Sequence, residues 1–96
     1  MEKTIYSNAY AAFCRVIRDT REAKGITQTR LAHALNRPQS FVAKIESGQR
    51  RVDVVELIAL AKGLGCSPVD LVERLAKELE RETPPLRERA TSRARK

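Results

Sequence analysis

The sequence predicts an all-α protein, a compact bundle of five helices, and three observations lead to that fold class. Apolar residues recur at helical spacing in five segments, each bounded by residues that start or stop helices. No stretch alternates apolar and polar residues as a half-buried strand would. A chain of 96 residues is long enough for one small core and too short for two. We therefore expect one domain over residues 1–82 and a disordered basic tail over 83–96.

Helix one is predicted from about Asn8 to Lys24, with helix two close behind it. Gly25 supplies a left-handed stop for the first helix, and the Thr27 hydroxyl is placed to cap the second. The residues expected to face the core from these two helices are Phe13, Val16, Ile17, Thr20, Leu31, Ala32 and Leu35.

Helix three is predicted to start with Pro38 at its first position, where the N–H that proline lacks would be unpaired anyway. It ends at Gly48. Helix four is expected to be capped by Asp53 and stopped by Gly65. The residues of these two helices expected to face the core are Val42, Ile45, Val54, Leu57, Ile58, Leu60, Ala61 and Leu64.

Helix five is predicted to open at Ser67-Pro68 and to continue to about Glu82, before Pro84-Pro85 end it.

Residues 28–48 carry the most informative pattern of the chain. Counted from Gln28, the small residue Ala32 follows after four positions, Asn36 after eight, Val42 after 14 and Ile45 after 17. This is the spacing of two short helices joined by a tight turn, with an apolar pair on each helix and a small residue where they approach. Asn is among the few residues that tolerate the positive φ of such a turn. The pattern predicts a helix-turn-helix.

Further short motifs lie in register with this one. They are Arg21, Gly25, Thr27-Gln28, Leu31-Ala32, Glu46-Ser47-Gly48, Leu64-Gly65 and Asp70-Leu71. Over roughly residues 10–75 the chain resembles the DNA-binding domain of the phage Cro and CI repressors, the xenobiotic-response-element type of bacterial regulator. The resemblance implies the five-helix bundle of the lambda-repressor-like DNA-binding type.

In this family helix three lies in the major groove, and its first residues contact base edges. Transferred to this chain, the base-contacting residues are Gln39, Ser40 and Lys44, with Phe41 and Ala43 nearby. Glutamine can make paired hydrogen bonds to adenine, and lysine can donate to guanine. Phe41 leaves two alternatives open, contact with a thymine methyl group or packing against helix two.

The residues expected at backbone phosphates are Gln28, Arg37, Arg50 and Arg51. The resemblance assigns Gln28 a second part, which is to steady the first base-contacting residue. It also implies a structural ion pair between Arg21 and Glu46 that holds the recognition helix in place.

Dimerisation is expected because one recognition helix contacts too few base pairs for useful selectivity. Val72, Ala76 and Leu79 recur along helix five and are candidates for the interface between two copies, whereas Leu71 and Leu75 are expected to pack inside the bundle. An alternative is that the start of helix one, with Tyr6 and Tyr10, covers this stripe.

The net charge of +7 favours a polyanionic partner, but residues 83–96 hold five basic residues and one acidic residue, or +4 of that total. The tail has two interpretations: it adds nonspecific attraction to phosphate, or it is a solubilising or protease-exposed end. Two cysteines and one histidine cannot assemble a zinc site, and we expect no metal and no cofactor. The absence of a signal peptide and of a long apolar run predicts a cytoplasmic protein with no membrane partner.

The predicted function is that of a sequence-specific transcriptional regulator that binds double-stranded operator DNA as a homodimer, most simply as a repressor. One alternative is an antitoxin whose tail, from about Thr83, orders on a toxin. Another is a protein-interaction module on the same fold. An enzyme is not expected, because no nucleophile is paired with a base and no glycine-rich phosphate loop is present.

Overall fold

The computed structural model describes the backbone of residues 5–82 and the side chains of residues 8–81, so the predicted tail lies outside it. The described chain forms five helices and no strand, which confirms the predicted fold class. The helices are α1 Ile5–Ala23, α2 Gln28–Ala34, α3 Gln39–Glu46, α4 Val54–Leu64 and α5 Pro68–Glu82. None of them is long and apolar enough to cross a membrane.

Local hydrogen bonds explain where the helices begin. The Thr27 hydroxyl accepts from the Arg30 amide at 3.0 Å and caps α2, as predicted. At α4 the predicted cap is reciprocal, because the Asp53 carboxylate accepts from the Glu56 amide at 2.8 Å and the Glu56 carboxylate accepts from the Asp53 amide at 3.1 Å. These bonds satisfy amides that have no partner inside the helix.

Two predicted helix starts were wrong. Helix α1 begins at Ile5 rather than Asn8. Pro38 stands before α3 as its N-cap residue instead of occupying the first helical position. Its ψ of 157° is extended, so only its carbonyl joins the helix, accepting from the Phe41 amide at 2.9 Å.

The turn between α2 and α3 depends on Asn36, whose φ of 58° is the only positive value among the non-glycine residues described. This confirms the predicted left-handed turn residue. Because the chain reverses here within a few residues, α3 packs directly on α2 and presents its other side outward.

The core is formed where α1 packs on α3 and α5 while α2 packs on α3 and α4. Leu71 and Leu75 are buried inside the bundle, as expected. The largest fully buried side chains are Ile17, Leu31, Val42, Ile45, Leu60, Leu64 and Leu71.

Helix α4 departs from the prediction because its apolar residues do not all face the core. Val54 is 70% exposed and Ile58 is 43% exposed, whereas Leu60, Ala61 and Leu64 are buried. The helix is apolar around more of its circumference than the bundle covers. Its uncovered residues adjoin exposed valines of α5 in a shallow groove, which we call the α4–α5 apolar surface: Val54, Leu57, Ile58, Val69 and Val72.

Candidate nucleic-acid interface

The outward side of α3 carries the polar residues predicted to contact bases. Gln39, Ser40 and Lys44 are exposed and Ala43 is half-buried, while Val42 and Ile45 on the opposite side are fully buried. We call these four residues, Gln39, Ser40, Ala43 and Lys44, the polar face of α3. Amide, hydroxyl and ammonium groups are the donors and acceptors that base edges in a major groove can pair with.

A buried ion pair anchors α3 to α1, as predicted. Arg21 Nε donates to Glu46 Oε2 at 2.6 Å and Arg21 Nη2 donates to Oε1 at 3.0 Å, with side-chain exposures of 10% and 5%. Arg21 also donates to the Ile26 carbonyl at 2.7 Å. The hydrogen bond with Glu46 raises the pKa of Arg21, against the lowering effect of burial, so the guanidinium stays charged.

Two glutamines extend this ion pair to the polar face. Gln28 Nε2 donates to Glu46 Oε1 at 2.9 Å, and Gln28 Oε1 accepts from Gln39 Nε2 at 2.7 Å. A continuous chain of side chains therefore runs from Arg21 through Glu46 and Gln28 to Gln39. Gln28 therefore contacts Gln39, the residue it was predicted to steady. One of the two amide hydrogens of Gln28 remains for another acceptor.

Phe41 does not point out with the polar face, which decides between the two alternatives left open for it. Its side chain belongs to the buried core cluster and the residue is 9% exposed, so the predicted contact with a base is corrected to packing. It lines a small hollow with Leu35 at the end of α2 and with Val55 and Ala59 of α4.

Arg50, predicted to bind phosphate, forms an ion pair with Glu56. Its Nη1 and Nη2 donate to the two carboxylate oxygens of Glu56, each at 2.9 Å, and Nη1 also donates to the Arg51 carbonyl at 2.8 Å. This guanidinium, followed by the Asp53 amide, lowers the pKa of Glu56. The sequence analysis did not identify Glu56 as the partner of Arg50. The Asp53-x-x-Glu56 spacing indicates the capping role of Glu56, but no spacing rule predicts its ion pair with Arg50.

The loop between α3 and α4 is tied to α1 through Tyr10. The Tyr10 hydroxyl donates to the Arg50 carbonyl at 3.1 Å, and the Arg51 guanidinium lies 4.2 Å from the centre of the Tyr10 ring. The alternative in which Tyr6 and Tyr10 cover the stripe on α5 is therefore wrong for Tyr10, and the side chain of Tyr6 lies outside the described residues. Burial raises the pKa of its hydroxyl, which remains a donor.

The three residues predicted for the dimer interface lie at the edge of the bundle. Val72 is 47% exposed, Ala76 is exposed and Leu79 is half-buried. Val72 is part of the α4–α5 apolar surface, and Ala76 and Leu79 follow it at intervals of four and three residues on the same side of α5.

A helix-turn-helix family model matches residues 17–71, which span the end of α1 through the start of α5. The chain belongs to the XRE family of helix-turn-helix proteins. An XRE-family like protein from Pseudomonas syringae pv. tomato str. DC3000 is 41% identical, with a TM-score of 0.71 over 76% of this chain and 89% of that one. No match was found among curated proteins.

Restriction-modification controller proteins are also similar to this XRE-family chain. C.AhdI from Aeromonas hydrophila is 35% identical, with a TM-score of 0.60 over 65% of this chain and 94% of that one. The C.Esp1396I tetramer, in complex with its natural 35 base-pair operator, is 32% identical, with a TM-score of 0.69 over 74% of this chain and 93% of that one.

Proposed function

We propose that this XRE-family chain is a sequence-specific DNA-binding transcriptional regulator, most simply a repressor, that inserts α3 into the major groove of an operator. The observation that carries the proposal is the hydrogen-bond chain that ends on Gln39. The operator complex of C.Esp1396I supports DNA as the partner of the fold. Such a regulator acts in the cytoplasm.

The geometry of Gln39 suits recognition of adenine. One of its amide hydrogens is committed to Gln28 at 2.7 Å, which leaves the second hydrogen and the amide oxygen. These are the two atoms that pair with N7 and the N6 amino group of adenine in the major groove. Gln28 therefore orients Gln39 without consuming the groups that recognise the base.

Lys44 and Ser40 complete the proposed base contacts from the same side of α3. Lys44 donates to guanine O6 and N7, and Ser40 adds a hydroxyl with low discrimination. Phosphate contacts are assigned to Gln28, Arg37 and Arg51, which fix the position on the duplex without selecting a sequence. The amide hydrogen left on Gln28 is the group available for this contact.

Two copies are proposed to bind one palindromic operator, with their recognition helices about 34 Å apart, one turn of DNA. The α4–α5 apolar surface, together with Ala76 and Leu79, is the face proposed to meet the second copy. Val54, Ile58 and Val72 are uncovered there, and exposed apolar side chains gathered in one patch are typical of an interface.

The test is a selection of binding sites from random duplexes, followed by affinity measurements on the selected site and on a random sequence. Gln39→Ala and Lys44→Ala should each weaken binding to the selected site by about 1–3 kcal/mol and change binding to random DNA little. Lys77→Ala, an exposed lysine of α5 outside the helix-turn-helix, is the matched control. If no preferred site emerges at moderate salt, the proposal fails.

The alternative functions have no specific support here. The tail for which toxin binding was predicted lies outside the described residues, and the C.Esp1396I structure named above is a complex with operator DNA. The family is one of DNA-binding regulators rather than enzymes.

A further inference from the structure

A basic groove runs along the flank of α3, between the turn that precedes the helix and the loop that follows it. Its polar lining comes from Arg37, Ser40, Lys44, Gln49 and Arg50, and no acidic side chain lines it. Phe41, also in its lining, is the one aromatic side chain there. A groove with guanidinium, ammonium, hydroxyl and amide groups but no carboxylate is suited to an anion.

Two arginines share the ring of Phe41 but differ in what else they bind. The guanidinium carbon of Arg37 lies 4.7 Å from the ring centre, and that of Arg50 lies 4.6 Å from it. Arg50 is committed to Glu56 and to the Arg51 carbonyl. The side chain of Arg37 makes no hydrogen bond or ion pair with any described residue, although it is held against the ring.

An arginine stacked on an aromatic face keeps the donors in the plane of the guanidinium available, because stacking uses only its flat side. The ring therefore limits the position of the Arg37 guanidinium but does not use its N–H donors. A guanidinium that rests on a ring and has unused donors can meet the oxygens of a phosphate in a bidentate arrangement.

We propose that Phe41 is a positioning residue that holds Arg37 in place as a clamp for one backbone phosphate of the operator. The inference rests on the proposed function and adds to it the residue that sets the geometry of the clamp. The DNA backbone is the source of the phosphate because Ser40 and Lys44 belong both to this groove and to the polar face of α3. A duplex engaged by that face brings its backbone alongside the groove.

The experiment measures affinity for the selected site and for a random duplex over a series of salt concentrations. The slope of log affinity against log salt is negative, and loss of one phosphate contact makes it less steep by about 0.9. This effect does not depend on the DNA sequence. We expect Arg37→Gln to show this less steep salt dependence and to weaken binding about tenfold on both duplexes, as loss of a charged hydrogen bond does. Phe41→Leu, which keeps apolar bulk but removes the flat ring, should change both quantities in the same direction.

Further variants separate positioning from folding. Phe41→Tyr keeps the ring and should retain the wild-type slope, and the Arg37→Gln/Phe41→Leu double variant should bind no more weakly than Arg37→Gln alone, since the two residues act as one unit. Should Phe41→Leu fail to fold in a thermal melt, Phe41→Met replaces it. Lys77→Ala again controls for the loss of a cation elsewhere.

Three results would overturn the inference. They are an unchanged slope for Arg37→Gln, an unchanged slope and affinity for a folded Phe41→Leu or Phe41→Met, and full additivity in the double variant. These results do not affect the comparison of Gln39 and Lys44 variants on selected and random DNA. This inference can therefore fail while the proposed function stands. A failure of sequence preference would show in that comparison instead.

Discussion

Glu46 is the residue on which the candidate site depends most, because one carboxylate serves both α1 and α2. It accepts two hydrogen bonds from Arg21 and one from Gln28, and its side chain is almost fully buried. The helix that presents the polar face to solvent ends at this residue, so its position is coupled to the core ion pair.

Replacing Glu46 with Gln should therefore destabilise the protein strongly. The change removes the only buried countercharge of the Arg21 guanidinium among the described residues, which costs about 3–5 kcal/mol for a buried pair broken from one side. Denaturant unfolding measures the loss. Glu22→Gln is the matched control, because Glu22 lies 3.7 Å from Arg21 but is 60% exposed and should contribute little. Equal losses for the two variants would contradict the central position of Glu46.

The ion pair between Arg50 and Glu56 predicts a pH dependence whose sign follows from the lowered pKa of Glu56. A carboxyl group with a lower pKa in the folded state stabilises that state above the unfolded value, usually near 4.5, and loses the contribution as pH falls through the folded value. Glu56→Gln keeps an acceptor for the capping box but removes the charge. Its melting temperature should be lower than wild type near neutral pH, and the gap should close as pH falls below about 4.5.

Thermal melts at a series of pH values test this expectation. Glu73→Gln is the control, since Glu73 is exposed on α5 and makes no ion pair with a described residue; it should follow the wild type throughout. A gap for Glu56→Gln that widens in acid would show that the carboxyl group is stabilised in its neutral form instead.

At the scale of helices, the approach of α4 to α2 depends on a residue without a side chain. A Cβ atom added at Gly63 would lie 2.8 Å from Leu31 Cδ1, 3.6 Å from Leu35 Cδ2 and 3.8 Å from Ala34 Cβ. Leu31 is fully buried, so its methyl group has no open space to move into.

Gly63→Ala should consequently lower stability, even though alanine favours a helix over glycine by about 1 kcal/mol. Overpacking a well-filled core costs about 1–3 kcal/mol, which outweighs the gain in helix propensity. Denaturant unfolding measures the difference, with Lys62→Ala as the control on the exposed side of the same helix. A Gly63→Ala variant more stable than wild type would mean that α2 and α4 separate at little cost.

Helix caps were the most predictable part of the fold because a cap is a local event. Thr27 and Asp53 cap helix starts and Gly65 caps a helix end, each beside the helix that it caps. These roles follow from residue type and position alone. Asn36 was predictable for the same reason. The Arg21–Glu46 pair joins residues far apart in the chain and was predicted only through the family resemblance.

Contacts between distant residues account for what the sequence could not predict. The side chain of Phe41 lies in the core cluster, and the guanidinium groups of Arg37 and Arg50 lie 4.7 and 4.6 Å from the centre of its ring. Periodicity within α3 carries no information about these neighbours. The exposed Val54 and Ile58 have the spacing of core residues. Helical periodicity shows that a side of α4 is apolar but does not show whether the bundle or a second chain covers it.

At the scale of the whole molecule, the α4–α5 apolar surface predicts self-association. Val72→Asp places a charge in this surface at a residue that is 47% exposed, so the monomer should still fold. We expect the variant to sediment as a monomer at concentrations where the wild type is a dimer, because an unpaired charge at an interface centre is costly to desolvate. Operator affinity should fall with it.

Lys77→Asp introduces an acid at another exposed residue of α5 and should leave sedimentation unchanged. If Val72→Asp sediments like the wild type, the interface lies elsewhere on the molecule.

The pairing of Gln28 with Gln39 limits how the protein can acquire a new operator. A side chain at residue 39 without a donor would lose the hydrogen bond to Gln28 Oε1 that orients it, and an acidic one would bring two acceptors together. We therefore expect a change of preferred base at this position to be accompanied by a compensating change at residue 28. Divergence of target sites in this lineage should proceed by paired substitutions at these two positions.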